Sequence, residues 1–174
     1  FEKYKGYTIN QGYFLPPLFF TKEEAHALIM LQTLAAKFTD QSISVQSNSA
    51  LDKIKAILRT PDKEKAEALA SRVNVFIPEG ERSDENYLSD IQKAITDKII
   101  LQITYIDSRS IRTKREIEPF GLIFYTNQWH LIGWCYSRKD YRDFKVKNIV
   151  ALDVSMKPFQ KKHQFTIEDY MKIF

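Results

Sequence analysis

The 174-residue sequence holds a single cysteine, Cys135. That excludes an internal disulfide and a cysteine-rich metal site, and it leans towards a reducing compartment. No apolar run approaches the roughly 20 residues that span a membrane as a helix. The opening residues do not read as a signal peptide, so none is expected. A Gly-rich phosphate loop, His-Glu-x-x-His, Cys-x-x-Cys and Gly-x-Ser-x-Gly are all absent. Carboxylates abound but interleave with lysine and arginine, as on a solvated surface, and no acid–base pair or metal cluster stands out. The expectation is a protein that is not an enzyme and needs no cofactor. There is also no tail of like charges: the net charge of +4 is spread through the chain. It permits an anionic partner without demanding one.

What is present suits one domain or two small ones. Hydrophobic residues make up 44%, enough for a real core. The first residue is Phe1 rather than methionine, which points to a fragment of a longer chain.

Both tryptophans and the cysteine lie in Trp129-His130-Leu131-Ile132-Gly133-Trp134-Cys135-Tyr136, which reads as a strand with both faces covered. Before it, residues 1–20 carry Tyr4, Tyr7, Tyr13 and Phe14 with Gly6 and Gly12, a small hairpin or wing, and Pro16-Pro17 stops any regular element. Thr21 with Glu24 forms a capping box for a helix over 22–38. Its apolar stripe (Ala25, Leu28, Ile29, Leu31, Leu34, Ala35, Phe38) is wider than one face, so it packs on two sides, one of them a candidate subunit contact. The polar run Asp40–Ser49 reads as a loop. Helices follow over 48–59 and from Thr60-Pro61 to Arg72, then a short extended run at Val73–Ile77 and a boundary at Pro78-Glu79-Gly80.

A helix over 84–97 presents Leu88, Ile91 and Ile95. The period then changes to two, with strands at 99–106, 111–117, 120–125, 128–136, 141–147 and 149–155. Their close spacing leaves no room for crossover helices, so the sheet is antiparallel, and such a small sheet protects its edges by curling into a barrel. Pro158 ends it. Thr166 with Asp169 starts a last helix.

His26 reads as a helix-surface residue and His163 as part of a basic linker. His130 is either a hydrogen-bonded strand histidine or a ligand contact. Cys135 reads as a small buried apolar residue. The strands carry the stronger signal: Arg112, Lys114 and Arg115 on one, and Arg138, Lys139, Arg142, Lys145 and Lys147 on or before another. Tyr105, Tyr125, His130, Trp134 and Tyr141 interleave with them. Cations clamp phosphates and planar rings stack bases. Lysine-rich exposed strands also serve simply to prevent edge pairing.

In order and spacing, several stretches resemble one family. Trp129-His130-Leu131 occupies the place of a Trp-Tyr-Leu triplet; Arg115-Glu116-Ile117-Glu118-Pro119-Phe120-Gly121-Leu122 resembles an Arg-x-Val-x-Pro-x-x-Leu strand and turn; and Tyr141–Ile149 resembles an Arg-x-Phe-Arg-Leu-Asp-Arg-Ile stretch. Leu15–Ala25 and Phe165–Phe174 resemble flanking segments. The chain thus resembles the WYL family, bacterial transcription regulators with an effector domain named for that triplet. The resemblance implies an α+β fold: an N-terminal helical segment followed by a small antiparallel Sm-like or SH3-like β-barrel. It divides the chain into the remnant of a winged-helix wing and linker (1–20), a helical linker and dimerisation region (21–80), the WYL barrel (81–159) and the start of a C-terminal extension (160–174). It also implies a winged helix-turn-helix preceding this chain and reading operator DNA.

The sequence departs from the pattern where the triplet's tyrosine is His130, where the second and third arginines are Lys145 and Asn148, and where the aspartate is Lys147. Lysine keeps the charge but loses the planar fork, and asparagine loses the charge. The expected protein is the effector-sensing and dimerisation part of a cytoplasmic regulator, a homodimer that binds a nucleotide or single-stranded nucleic acid on the barrel. Arg142 and Lys145 would contact phosphate, Arg112 and Arg115 would add to it, and Tyr105 and His130 would stack or hydrogen-bond. The alternative is a dimerisation module with no ligand.

Overall fold

The structure, a computed structural model, describes residues 19–73, 86–163 and 166–172. Nearly all of the expected hairpin or wing over 1–20, nearly all of the extended run 73–77 and the boundary at 78–80 lie outside the described residues. Three helices come first: α1 (Lys22–Phe38), α2 (Gln41–Ile57) and α3 (Thr60–Ala70). Thr21 and Glu24 form the expected capping box, each side chain accepting from the other's backbone N–H, at 3.2 and 2.7 Å. The wide stripe of α1 is used on two sides within this chain. Ile29 packs with Leu51 of α2 and Ala66 of α3, while the Phe38 ring meets Phe124 edge-on at 5.3 Å.

α2 starts at Gln41 and so takes in nearly all of the Asp40–Ser49 run that the sequence presents as a loop. Serine and asparagine compete for backbone hydrogen bonds and favour caps, which is why the run reads as a loop. Two things overrule that preference. Ile43 packs against the sheet's core, and Asp40 caps the helix, accepting from the Ile43 N–H at 3.2 Å. The same buried carboxylate accepts from the Leu88 N–H at 2.8 Å, while Ser42 Oγ accepts from the Ser89 N–H at 3.0 Å. Asp40 therefore caps α2 and also α4 (Leu88–Asp97), 48 residues away.

Five antiparallel strands follow: β1 (Ile99–Ile106), β2 (Arg112–Tyr125), β3 (Gln128–Cys135), β4 (Asp140–Lys145) and β5 (Ile149–Pro158). Where the sequence suggests two strands over 111–125, β2 is continuous. A register shift between Pro119 and Gly121 absorbs the missing proline N–H, so the strand bends instead of stopping. Thr126 and Asn127 both have positive φ (47° and 58°), the backbone of a tight hairpin turn between β2 and β3.

The strand order is β4-β3-β2-β1-β5. The expected closed barrel is not formed, because no ladder joins β4 to β5 among the described residues. The sheet is nevertheless strongly curled. Flat, its edges would stand about 19 Å apart, four spacings of ~4.8 Å. Only the 3₁₀ turn Val146–Asn148 connects them, and it rises about 2 Å per residue. Six-residue β4 runs straight into that turn, which leaves no extended backbone to pair with β5. Inside the curl, Leu88, Ile91 and Ala94 of α4 pack on Leu101, Ile103, Ile117, Leu131, Cys135 and Phe144. Gly133 is required by close approach: a Cβ there would lie 2.4 Å from Ile117 Cγ2 and 2.8 Å from the Glu118 carbonyl oxygen.

The last helix, α5 (Ile167–Met171), has its expected capping box at Thr166 and Asp169, and Ile167 packs over Gly121. Asp40→Ala should remove two caps at once. At about 1 kcal/mol each, the loss is about 2 kcal/mol, a fall in Tm of roughly 4–8 °C. A thermal melt followed by circular dichroism measures this, and an unchanged Tm would refute the shared cap.

Candidate ligand site on the outer face of the sheet

Alternation along β3 sends Leu131 and Cys135 to the α4 side and His130, Ile132 and Trp134 to the outer face. Two acidic residues of the outer face, Glu118 and Asp143, are each supplied with several donors. Glu118 is fully buried. Its Oε1 accepts from the Tyr136 hydroxyl and from the N–H groups of Gln160 (2.6 Å) and Lys161 (3.3 Å), and its Oε2 accepts from His163 Nε2 at 2.5 Å. Burial pushes its carboxyl pKa up. The hydrogen bonds from Tyr136, the Gln160 N–H and His163 more than offset that, and the net shift is downward. Asp143 accepts from His130 Nδ1 at 2.6 Å, from the Tyr125 hydroxyl at 2.7 Å and from the Tyr170 hydroxyl at 2.9 Å. Burial, with the bond to Asp143, pushes the Tyr125 hydroxyl up to about 12. Tyr136 and Tyr170 shift the same way, first by burial and then by their carboxylates. All three therefore remain neutral donors at physiological pH.

His130 is 2% exposed and stacks on Tyr125 at 3.9 Å between centroids. With Nδ1 on Asp143, its Nε2 has no hydrogen-bond partner among the described residues. Directly across the ladder stands Lys145, exposed and in no salt bridge among the described residues.

The six residues singled out in the sequence do not form one cluster. His130 and Lys145 are register partners on the outer face. Arg142 stands across from Gly133, three residues from Lys145 and so on the opposite side of β4, paired with Asp140 at 3.0 Å. Tyr105 shares that inner side. Its ring meets Phe144 edge-on at 5.2 Å and its hydroxyl accepts from Asn148 at 3.5 Å. Arg115 donates to Thr113 Oγ1 and Ser137 Oγ at 3.1 and 2.9 Å. Arg112 is exposed at the start of β2, opposite Ile106.

The profile of the WYL domain matches residues 86–154. The chain is a WYL-domain protein. It is 30% identical over 150 residues to protein PafB of Mycobacterium leprae (strain TN), covering 83% of this chain and 43% of that one. It is 31% identical over 70 residues to the DNA-binding transcriptional repressor CapW of Escherichia coli (strain KTE188), covering 40% of this chain and 23% of the repressor. It is 27% identical over 84 residues to the HTH-type transcriptional regulator YobV of Bacillus subtilis (strain 168), covering 48% and 27%. The chain spans less than half the length of each of these relatives.

In this WYL domain the triplet is split by strand alternation. Trp129 donates its indole N–H to the Phe38 carbonyl at the end of α1 (2.5 Å), His130 turns to the outer face, and Leu131 enters the core. Sequence reasoning missed Glu118, Asp143, Tyr136, Tyr170 and His163. A signal existed for Glu118: it lies in the largely apolar stretch Ile117–Ile123, and a carboxylate buried there must have donors. His163, expected in a linker, is 9% exposed.

No helix among the described residues is long and apolar enough to cross a membrane, and they contain no group of three or more metal-binding side chains. Because the Glu118 pKa is lowered by folding, its stabilisation is present above its unfolded pKa near 4.5 and is lost as pH falls through the folded value. Glu118→Gln should thus cost about 2–3 kcal/mol in urea unfolding at pH 7. The gap to wild type should narrow at pH 3.5, and an equal gap at both pH values would contradict the ionised, donor-saturated carboxylate.

Proposed function

We propose that this chain is the effector-sensing and dimerisation region of a helix-turn-helix transcriptional regulator. Its WYL domain would work as an Sm-like unit that binds a nucleotide or single-stranded nucleic acid, without catalysing a reaction. The observation that carries the reading is the His130–Lys145 pair: a buried ring nitrogen lacking a partner beside an exposed ammonium. A buried polar atom without a partner costs about 1–3 kcal/mol, which a donor such as a base's exocyclic amine would recover. β4 pairs only with β3 among the described residues, so its other edge has no strand partner there. A sugar–phosphate backbone running along that edge meets Lys145 from one side and Arg142 from the other. Arg112 and Arg115 add long-range positive charge, and Tyr105 lines the inner side. Similarity to a DNA-binding repressor and to an HTH-type regulator supports the regulatory role. Operator DNA is then read by a domain outside this chain.

Labelled short single-stranded DNA and RNA, titrated at two salt concentrations, test the reading. Each phosphate contact contributes about −0.7 to the slope of log K against log salt for single strands. Lys145→Ala and Arg142→Ala should each flatten the slope by about that amount, and His130→Phe should weaken binding without changing it. Binding indifferent to all three variants would dismiss the proposed site.

The second reading, a dimerisation module without a ligand, is favoured by Met30 and Leu31, 40% and 59% exposed on α1. Leu31→Glu should convert a dimer to a monomer in sedimentation equilibrium. A wild-type chain that is monomeric at high concentration removes α1 as the contact.

A further inference from the structure

The segment after β5 lies across the outer face and places a cation where a base would stack. Lys161 Nζ stands 3.1 Å from the Trp134 ring centroid and 5.6 Å from that of Tyr141. Trp134 and Tyr141 meet edge-on at 5.2 Å, and Tyr141 continues edge-on to Phe120 at 5.3 Å. The result is a half-buried aromatic surface four residues along the same two strands from the His130–Lys145 pair, with Trp134 across from Tyr141 in the ladder.

The backbone and the side chain of Lys161 are held very differently. The N–H groups of Gln160 and Lys161 are fixed by the buried Glu118 carboxylate, and His163 is fixed between Glu118 and Tyr141. The Lys161 side chain reaches the rings on a flexible, exposed stem and makes no salt bridge among the described residues. The side chain can therefore leave while the backbone stays.

We infer that the Trp134–Tyr141 surface is a stacking subsite for a nucleobase, and that Lys161 is its intramolecular occupant, displaced when a base binds. The inference rests on the nucleotide reading above and adds to it both a place for the base and a built-in competitor. Base stacking on an aromatic ring is the stronger contact of the two at a partly exposed site, so a base displaces Lys161, but with reduced affinity. Displacement moves an ammonium, not the strand or the anchored backbone.

Adenosine is the probe, because it has a base and no phosphate, so a change of protein charge does not of itself alter its affinity. The whole 174-residue chain is titrated with adenosine by isothermal calorimetry, as wild type, Lys161→Ala and Trp134→Leu. Trp134→Leu keeps apolar bulk and removes the π face. Acrylamide quenching of tryptophan fluorescence reports whether Trp134 is uncovered, and a thermal melt confirms that each variant is folded. Lys161→Ala should raise quenching and tighten adenosine about two- to fivefold, the worth of an exposed cation–π contact. Trp134→Leu should abolish binding. Adenosine binding that Trp134→Leu leaves intact would overturn the subsite. Raised quenching in Lys161→Ala without tighter binding would overturn the competition. If no variant binds adenosine, the inference fails on its own, because the phosphate reading is judged separately by the oligonucleotide salt slopes of Lys145→Ala and Arg142→Ala.

Discussion

A carboxylate removed from water must be given donors, and Glu118 shows how much structure that requirement can organise. It lies on the outer side of β2 at 0% exposure, and its four donors come from three places: the residue just past β3, two backbone N–H groups after β5, and a histidine beyond them. Without these donors the outer face would be an open, half-apolar sheet. With them, the segment after β5 is drawn across that face. Asp143 repeats the arrangement on β4, collecting hydroxyls from β2 and α5 and the ring of His130. The two acids hold the rings of Tyr125, His130, Tyr136, His163 and Tyr170 in place.

The same logic separates the architecture from the chemistry. The inner side of the sheet is held by ordinary apolar packing against α4, with a steric constraint at Gly133. The outer side is held by charge and hydrogen bonds. Lys161, His163 and Tyr170 are all brought there from outside the sheet, so the site depends on a segment that the strand pattern alone does not include.

Much of the fold was legible because local signals agreed with the tertiary outcome. The Thr21–Glu24 and Thr166–Asp169 boxes begin helices as read, and β1 runs over 99–106 as read. What misled was local chemistry overruled from a distance. The serine-rich start of α2 is helical because Asp40 and Ile43 bind to elements far along the chain. β2 passes through Pro119 because a register shift relieves the missing donor. The site was legible only in part. His130 and Lys145 stand together because one ladder pairs them, but Arg142 lies on the other side of β4, since three residues along a strand reverse direction. The donors to Glu118 lie up to 45 residues away, beyond the reach of any spacing argument.

The three-residue turn between β4 and β5 has a mechanical consequence. It ties the sheet's two ends together without a ladder between them, so the curl is a split ring rather than a closed hoop. A closed hoop can change its radius only by breaking or sliding backbone hydrogen bonds. A split ring resists through side-chain packing and the dihedrals of its tie alone. The compliance of this domain is thus concentrated at the seam, where Phe144 touches Tyr105 and Asn148 reaches the Tyr105 hydroxyl.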